Sequence, residues 1–310
     1  MSPHPPPPFD LLVAGEINPD LILSGDVEPV FGQVEKLVDS VSLTIGSSSA
    51  IVACGAARLG LKVAFIGICG DDVFGRFMLD EMSQRGVDIG NVIRAQGGST
   101  GLSVILNRGS DRAILTHPGL ISVLKAGDVS DGLLRQTRHL HVASYFLQTA
   151  LQPGLPQLFE RARSLGLTTS LDTNYDPSEA WQGFDGLLSL TNVFLPNEAE
   201  ACSLARLEDV DLAADSLAAK VETLAVKLGA AGALGIGNGQ KISVASIPVK
   251  VVDTVGAGDS FDAGFIFGYL AGWPLEKTLK LAAVCGALST QAAGGTTAQP
   301  TLAQAQKYLP

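Results

Sequence analysis

The segment Asp253-Thr-Val-Gly-Ala-Gly-Asp-Ser-Phe-Asp262 sets Gly256, Ala257 and Gly258 directly before the carboxylate of Asp259 and an apolar run. Backbone with so little side chain lets an anion approach closely. If a helix begins here, its first N–H groups lack partners and its dipole favours negative charge. Asp259 would then stand beside the bound anion and face whatever approaches it. An anion cradle next to a weak base suits phosphoryl transfer, where positioning and charge neutralisation dominate. A carboxylate at a helix N-terminus is expected to stay ionised, so Asp259 would orient a hydroxyl and take its proton late. The plainer alternative is that Asp259 only caps the helix. Asp262, near the same helical face, reads as structural.

Regular elements must hold this loop. Leu11–Gly15 is an apolar run ending in Gly and reads as a buried strand, with polar Glu16, Asn18 and Asp20 following at once. Residues 21–45 alternate loosely and suggest exposed antiparallel strands. Ser47–Leu59 reads as a helix opened by serines and closed by Gly60. Lys62–Gly67 reads as a strand, and Asp71/Asp72 offers the cap of a helix ending at Gly86. Two strands, 101–107 and 112–116, are joined by the turn Arg108-Gly-Ser-Asp111. From about residue 137, strands (139–143, 168–172, 192–195, 223–228) alternate with helices near 154–164, 178–188 and from Glu198. Gly-rich hairpin strands run to about 247, and long helices span 258–271 and 275–292. The run Val249–Val252 leads into the glycine loop. Alternating strands and helices imply a doubly wound α/β fold, with a mostly parallel sheet and helices on both faces. The early strands, at about 17–46 and 100–117, read as a small inserted β-layer.

Bulk properties narrow the function. The chain has 310 residues, 46% hydrophobic and 17% charged, as expected of a compact globular protein. Its net charge of −10 and pI near 4.8 argue against a nucleic-acid partner. Cys54, Cys69, Cys202 and Cys285 form no C-x-x-C pair and read as reduced residues of a cytoplasmic protein. Residues 1–8 are proline-rich and are expected to be extended or disordered. The uncharged stretch from Leu281 to Gln306 is too rich in Gly, Thr, Ser and Gln to span a bilayer. No linker divides residues 9–310, which read as one domain carrying the inserted β-layer.

Several segments together carry a resemblance. Asp253–Gly268 (DTVGAGDSFDAGFIFG) resembles the C-terminal signature of the ribokinase-like (PfkB) carbohydrate kinases. Gly15–Asp20, Gly67–Gly75, Gly86–Asp88, Asp172-Thr-Asn174, Asn197–Glu200 and Lys227–Gly232 are similar to further family segments, in order along nearly the whole chain. The resemblance implies a doubly wound domain under a small β-sheet lid, homodimerisation through that lid, and the use of ATP and Mg2+. It implies that Gly256, Ala257 and Gly258 form an anion hole and that Asp259 is the base. Asn197 and Glu200 would act near the phosphates through Mg2+ and its waters. Lys227, Gly229 and Gly232 would lie along the nucleotide, and Asn18 and Asp20 would meet substrate hydroxyls. Asp253, with carbonyls near Ala293–Gly295, would form a monovalent-cation site, for K+.

The departures concern the acceptor. The family's G-G-x-G-x-N-x-A segment reads Gly46-Ser-Ser-Ser-Ala-Ile51-Val-Ala53, so an Asn that contacts sugar is replaced by Ile51. One polar pair is lost from a pocket whose discrimination depends on such pairs. Ser47 and Ser48 are candidates to compensate, and Arg112 on the lid is a candidate contact for an anionic or polyhydroxy substrate. The expected activity is ATP-dependent phosphorylation of a hydroxyl on a small sugar or sugar-like alcohol. The alternatives are a nucleoside kinase of the same family, favoured if a lid aromatic such as Phe31 stacks on a base, and a catalytically silent sugar-sensing protein. A dehydrogenase is disfavoured, because no G-x-G-x-x-G follows the first strand.

Overall fold

The computed structural model describes residues 7–108, 111–183 and 186–309. Most of the proline-rich tail and the two central residues of the 108–111 turn therefore lie outside the described residues. In chain order the elements begin with β1 (Leu11–Ala14), β2 (Pro19–Ser24), β3 (Ser40–Ile45), α1 (Ser48–Leu59), β4 (Val63–Ile66), β5 (Ile68–Gly70) and α2 (Val73–Gln84). Then come β6 (Val87–Asp88), β7 (Ile93–Ala95), β8 (Leu102–Arg108), β9 (Asp111–His117), α3 (Asp131–Leu134), β10 (His139–Val142), α4 (Leu155–Ser164) and β11 (Thr168–Leu171). The chain continues through β12 (Val193–Phe194), α5 (Glu198–Ala205), α6 (Val210–Ala218), β13 (Thr223–Lys227), β14 (Ala233–Gly237) and β15 (Gln240–Val244). It closes with α7 (Ala257–Leu270), α8 (Leu275–Ser289) and α9 (Leu302–Ala305).

Among the described residues, nine strands form the main sheet in the order β15-β14-β13-β12-β11-β10-β1-β4-β6. The pairing is parallel from β13 through to β6, and antiparallel at β13–β14 and β14–β15. β1 is fully buried along its length, as an all-apolar strand covered on both faces must be. One apolar cluster joins α1, α2, α7 and α8 to one face, and a second joins α4, α5 and α6 to the other. Glycines set the spacing of α7 on α8: a Cβ on Gly264 would lie 2.9 Å from the Ala282 backbone. No described helix is long and apolar enough to cross a membrane.

The small sheet runs β3-β2-β8-β9. Its register puts Asp20, Thr44, Ser103 and Thr116 on one face. Leu21, Leu43, Val104 and Leu115 share the opposite face.

One expectation fails and one helix is unforeseen. Residues 178–183 are not helical. The Asp176 carboxylate accepts hydrogen bonds from Ser178 N (2.9 Å) and Trp181 N (2.7 Å), and Glu179 and Trp181 take positive φ. A turn stabilised by its own side chain outcompetes helix propensity here. The run Val249–Val252 that leads into the glycine loop is irregular. α6 was not anticipated, although Asp209 caps it.

Candidate active site

The polar groups gather at the carboxyl ends of the parallel strands, where open α/β sheets bind ligands. The segment after β1 delivers Glu16 and Asn18, and β2 of the small sheet delivers Asp20. β10 delivers Ser144, β11 delivers Asp172, and Asn197 and Lys227 follow β12 and β13 at neighbouring positions. α7 points its start into this group. Its N-cap is Gly256 at φ 71, with no capping side chain; Ala257 N donates to Thr254 O, and the next N–H groups of the first turn face the site without a side-chain cap.

Gly256 and Gly258 differ in kind. A Cβ on Gly256 would lie 2.6 Å from Gly295 Cα and 3.1 Å from Ile51 Cγ2, on backbone already at positive φ. A Cβ on Gly258 would meet nothing closer than the Lys227 stem at 3.6 Å. Gly256→Ala is therefore expected to lower stability by about 1–3 kcal/mol. Gly258→Ala should melt like the parent and lose turnover, because the space it fills belongs to a ligand. Equal activity of Gly258→Ala and parent in a steady-state assay would remove the anion-hole role.

Asp259 is 8% exposed. Burial, reinforced by the charge of Asp172, pushes its carboxyl up to about 7, against the opposing pull of Lys227 and a hydrogen bond to Ser48. The expectation that it stays fully ionised is thus corrected: desolvation outweighs the helix terminus. Beside it, Lys227 Nζ sits 2.8 Å from Asp172 Oδ2 and 3.2 Å from Asp262 Oδ2. The oxygens of Asp172, Asp259 and Asp262 lie within 4.8 Å of one another, all buried. The ammonium and neighbouring hydrogen bonds hold Asp172 below the usual carboxylate range, despite its burial. Asp262, buried beside the charge of Asp172, is pushed well upward, and its Oδ1 has no hydrogen-bond partner. Asp262 is therefore the neutral member, more closely tied to the site than its sequence position suggested.

Asn197 and Glu200 form a reciprocal cap at the start of α5: Glu200 N donates to Asn197 Oδ1 (2.9 Å) and Asn197 N to Glu200 Oε2 (2.9 Å). Burial and the charge of Asp172 raise Glu200 to about 7. A cavity of about 580 Å³ adjoins this edge, lined by Lys227, Gly229, Gly232, Ala257 and Gly258 with apolar Ile247 and Phe261. The Lys227 stem lines the cavity while its ammonium turns into the carboxylates.

On the other side lies the small sheet. Asn18 and Asp20 are 5% and 7% exposed. Burial and the charge of Asp253 raise Asp20 to about 7, while Arg112 pulls it down. Asn18 Nδ2 donates to Ser103 Oγ (3.4 Å), and the buried Thr44 Oγ1 has no partner. Asp253 accepts from Val255 N (3.0 Å) and Gly294 N (2.9 Å), tying the two loops together.

The serines occupy distinct positions. Ser47 caps α1 through Ala50 N (3.1 Å) and donates to Glu16 O (2.6 Å). Ser48 accepts from Asn174 Nδ2 (2.5 Å), and Asn174 also donates to Ser144 Oγ (2.9 Å). Glu16 collects Ser49 Oγ (2.5 Å) and Ser144 Oγ (2.9 Å). Ile51, 2% exposed, packs on Gly256 and Gly295; its side chain braces the bend and does not line open space. Arg112 is exposed on β9, where its charge still reaches Asp20, and Phe31 is 95% exposed. Sequence reasoning gave no role to Glu16 and Ser49, although both lie in quoted segments, and it missed Ser144, which lies in none.

Comparison with known proteins follows this geometry. A family profile described as "pfkB family carbohydrate kinase" matches residues 9–302. An uncharacterized sugar kinase of Archaeoglobus fulgidus is 33% identical, over 73% of this chain and 90% of that protein. A fructokinase of Salmonella typhimurium is 33% identical, over 82% and 88%. A solved structure of a putative ribokinase II from E. coli in complex with ATP and Mg2+ superposes with a TM-score of 0.87, over 97% of this chain and 98% of the other, at 22% identity.

Proposed function

We propose, from the premise that the chain belongs to the pfkB family of carbohydrate kinases, that it transfers a phosphoryl group from ATP to a hydroxyl of a small sugar or sugar-like alcohol. One observation carries this reading. Asp259 is buried at the uncapped start of α7, and that bend adjoins both a cavity suited in size to a nucleotide and the polar residues that end β1.

In this reading the N–H groups around Gly256–Gly258 hold the migrating phosphoryl oxygens. Gly229, Gly232 and the Lys227 stem lie against the nucleotide. Asn18, Asp20, Ser48 and the free Thr44 hydroxyl hold the acceptor. Asp259, poised near neutrality, takes the proton from the attacking hydroxyl. Lys227 keeps Asp172 ionised and so fixes the field at Asp259. The donor set fits Mg2+: the charge of Asp172 raises both Asp259 and Glu200, a repulsion that a divalent cation relieves. When bound, Mg2+ neutralises charge on the phosphates, with Asn197 and Glu200 reaching it through water. Asp253 and the carbonyls near Ala293–Gly295 form the monovalent-cation site, for K+. A chain that consumes ATP and keeps its cysteines reduced belongs in the cytoplasm.

The test is ADP release across ketoses, aldoses, sugar acids, nucleosides and inositols, repeated with Mg2+ chelated and with K+ exchanged for Na+. At least one sugar should raise the rate, and chelation should abolish it. No acceptor-dependent ADP release from any compound would sink the proposal.

The lid is also the proposed dimer contact. Val41 and Leu115 on its outer face are 64% and 61% exposed, apolar surface of the kind that a protein partner covers. Sedimentation should give a dimer for the parent and a monomer for Leu115→Lys; a monomeric parent contradicts this.

A further inference from the structure

We propose a second anion site, separate from the catalytic cleft, that takes a small phosphorylated metabolite. A cavity of about 410 Å³ lies where the end of α1 meets α8 and the C-terminal segment. Arg58, Gln291, Thr297, Gln304, Lys307 and Tyr308 line it, and none of them lines the cavity beside α7. No carboxylate side chain lines it among the described residues. In a chain of net charge −10, that is a local reversal, and its origin is in the sequence. Neither Gly46–Gly70 nor Lys277–Pro310 contains an Asp or Glu. The fold brings these two acid-free segments together at this hollow.

The chemistry favours a phosphoryl group. Among the described residues neither Arg58 nor Lys307 forms an ion pair with an acid. Arg58 spends its Nε–H on Gln299 O, which anchors the guanidinium and leaves its terminal nitrogens available for a planar, two-bond contact with an oxyanion. Lys307 adds a second positive charge. The amides and hydroxyls of Gln291, Gln304, Thr297 and Tyr308 suit the hydroxyl-bearing body of a phosphorylated sugar.

The site also has a route to the catalytic helix. The Gln299 side-chain amide donates to Ile51 O and to Ser260 Oγ, each at 3.0 Å. Gln299 is 2% exposed and Ser260 1%. Ser260 follows Asp259, and Ile51 supports Gly256. An anion that draws on Arg58 therefore acts on the residue that joins α1 to α7.

Calorimetric titration tests the site, using inorganic phosphate and fructose 6-phosphate as probes. The cleft is first filled with a non-hydrolysable ATP analogue and Mg2+. Saturable binding is expected in the parent, weakened about tenfold or more in Arg58→Gln and Lys307→Gln, the scale of one lost charged contact. Equal affinity for both probes identifies the free ion as ligand; tighter binding of the ester identifies the sugar phosphate. Lys307→Gln breaks no hydrogen bond of the described structure, so it keeps the test open if Arg58→Gln does not fold. Binding of equal strength in parent and both variants, or no binding at millimolar probe, overturns the proposal. This readout does not depend on the kinase reading. Coupling is read in the sugar assay: the ester should shift the sugar KM in the parent and not in Lys307→Gln, and an equal shift in both would overturn the coupling.

Discussion

Asp259→Asn is expected to reduce kcat by about 10²–10⁴-fold, the usual worth of a positioned base, with sugar KM little changed. In the parent, turnover should fall as pH drops below about 7, because the carboxyl must be ionised to accept a proton. The same group predicts stability with the opposite sign. Its folded-state value lies above the ordinary 3.8, so the fold favours the protonated form. Its contribution is fully present below pH 3.8 and is lost as pH rises through about 7. Asn, neutral at every pH, should therefore stabilise the ligand-free protein at pH 8.5 more than at pH 5.5. Thermal melts would show this as on the order of 2–4 °C per kcal/mol. Normal turnover by the Asn variant sinks the base assignment, and a Tm difference that ignores pH sinks the electrostatic account.

Lys227→Met should be far more damaging than any change to its apparent partner Asp262. Removing the ammonium leaves Asp172 ionised and buried without compensation, which costs about 3–5 kcal/mol. Asp262 is the neutral carboxyl of the cluster, so Asp262→Asn keeps shape and charge and should stay within about 1 kcal/mol of the parent. Chemical denaturation of both variants decides this. If Asp262→Asn is as destabilised as Lys227→Met, the charge lies on Asp262 and the assignment of the two carboxylates is reversed.

Where local rules were strong, the sequence foretold the structure. The serine start and Gly60 stop of α1, the Asp72 cap of α2 and the strands after residue 137 appear within a few residues of expectation. The helix expected near 178–188 fails because Asp176 bonds backbone that a helix would claim, a local side-chain contact invisible to periodicity. The glycine bend was legible because its chemistry is contiguous. The Asp172–Lys227–Asp262 cluster was not, since its members come from three distant segments and their charges are settled only by burial. Ile51 was legible as a change of polarity, but its direction was not: only the fold turns it onto Gly256 and away from the pocket.

That contact makes position 51 a poor handle for engineering. One methyl-bearing side chain props both the phosphate bend and the Gly295 loop, while its carbonyl receives Gln299. Efforts to retailor acceptor choice there will retune turnover as well, because selectivity and speed share a single hinge pin. Altering Ser103, on the small sheet, leaves that pin in place, whereas Thr44 packs against Gly294 of the same loop.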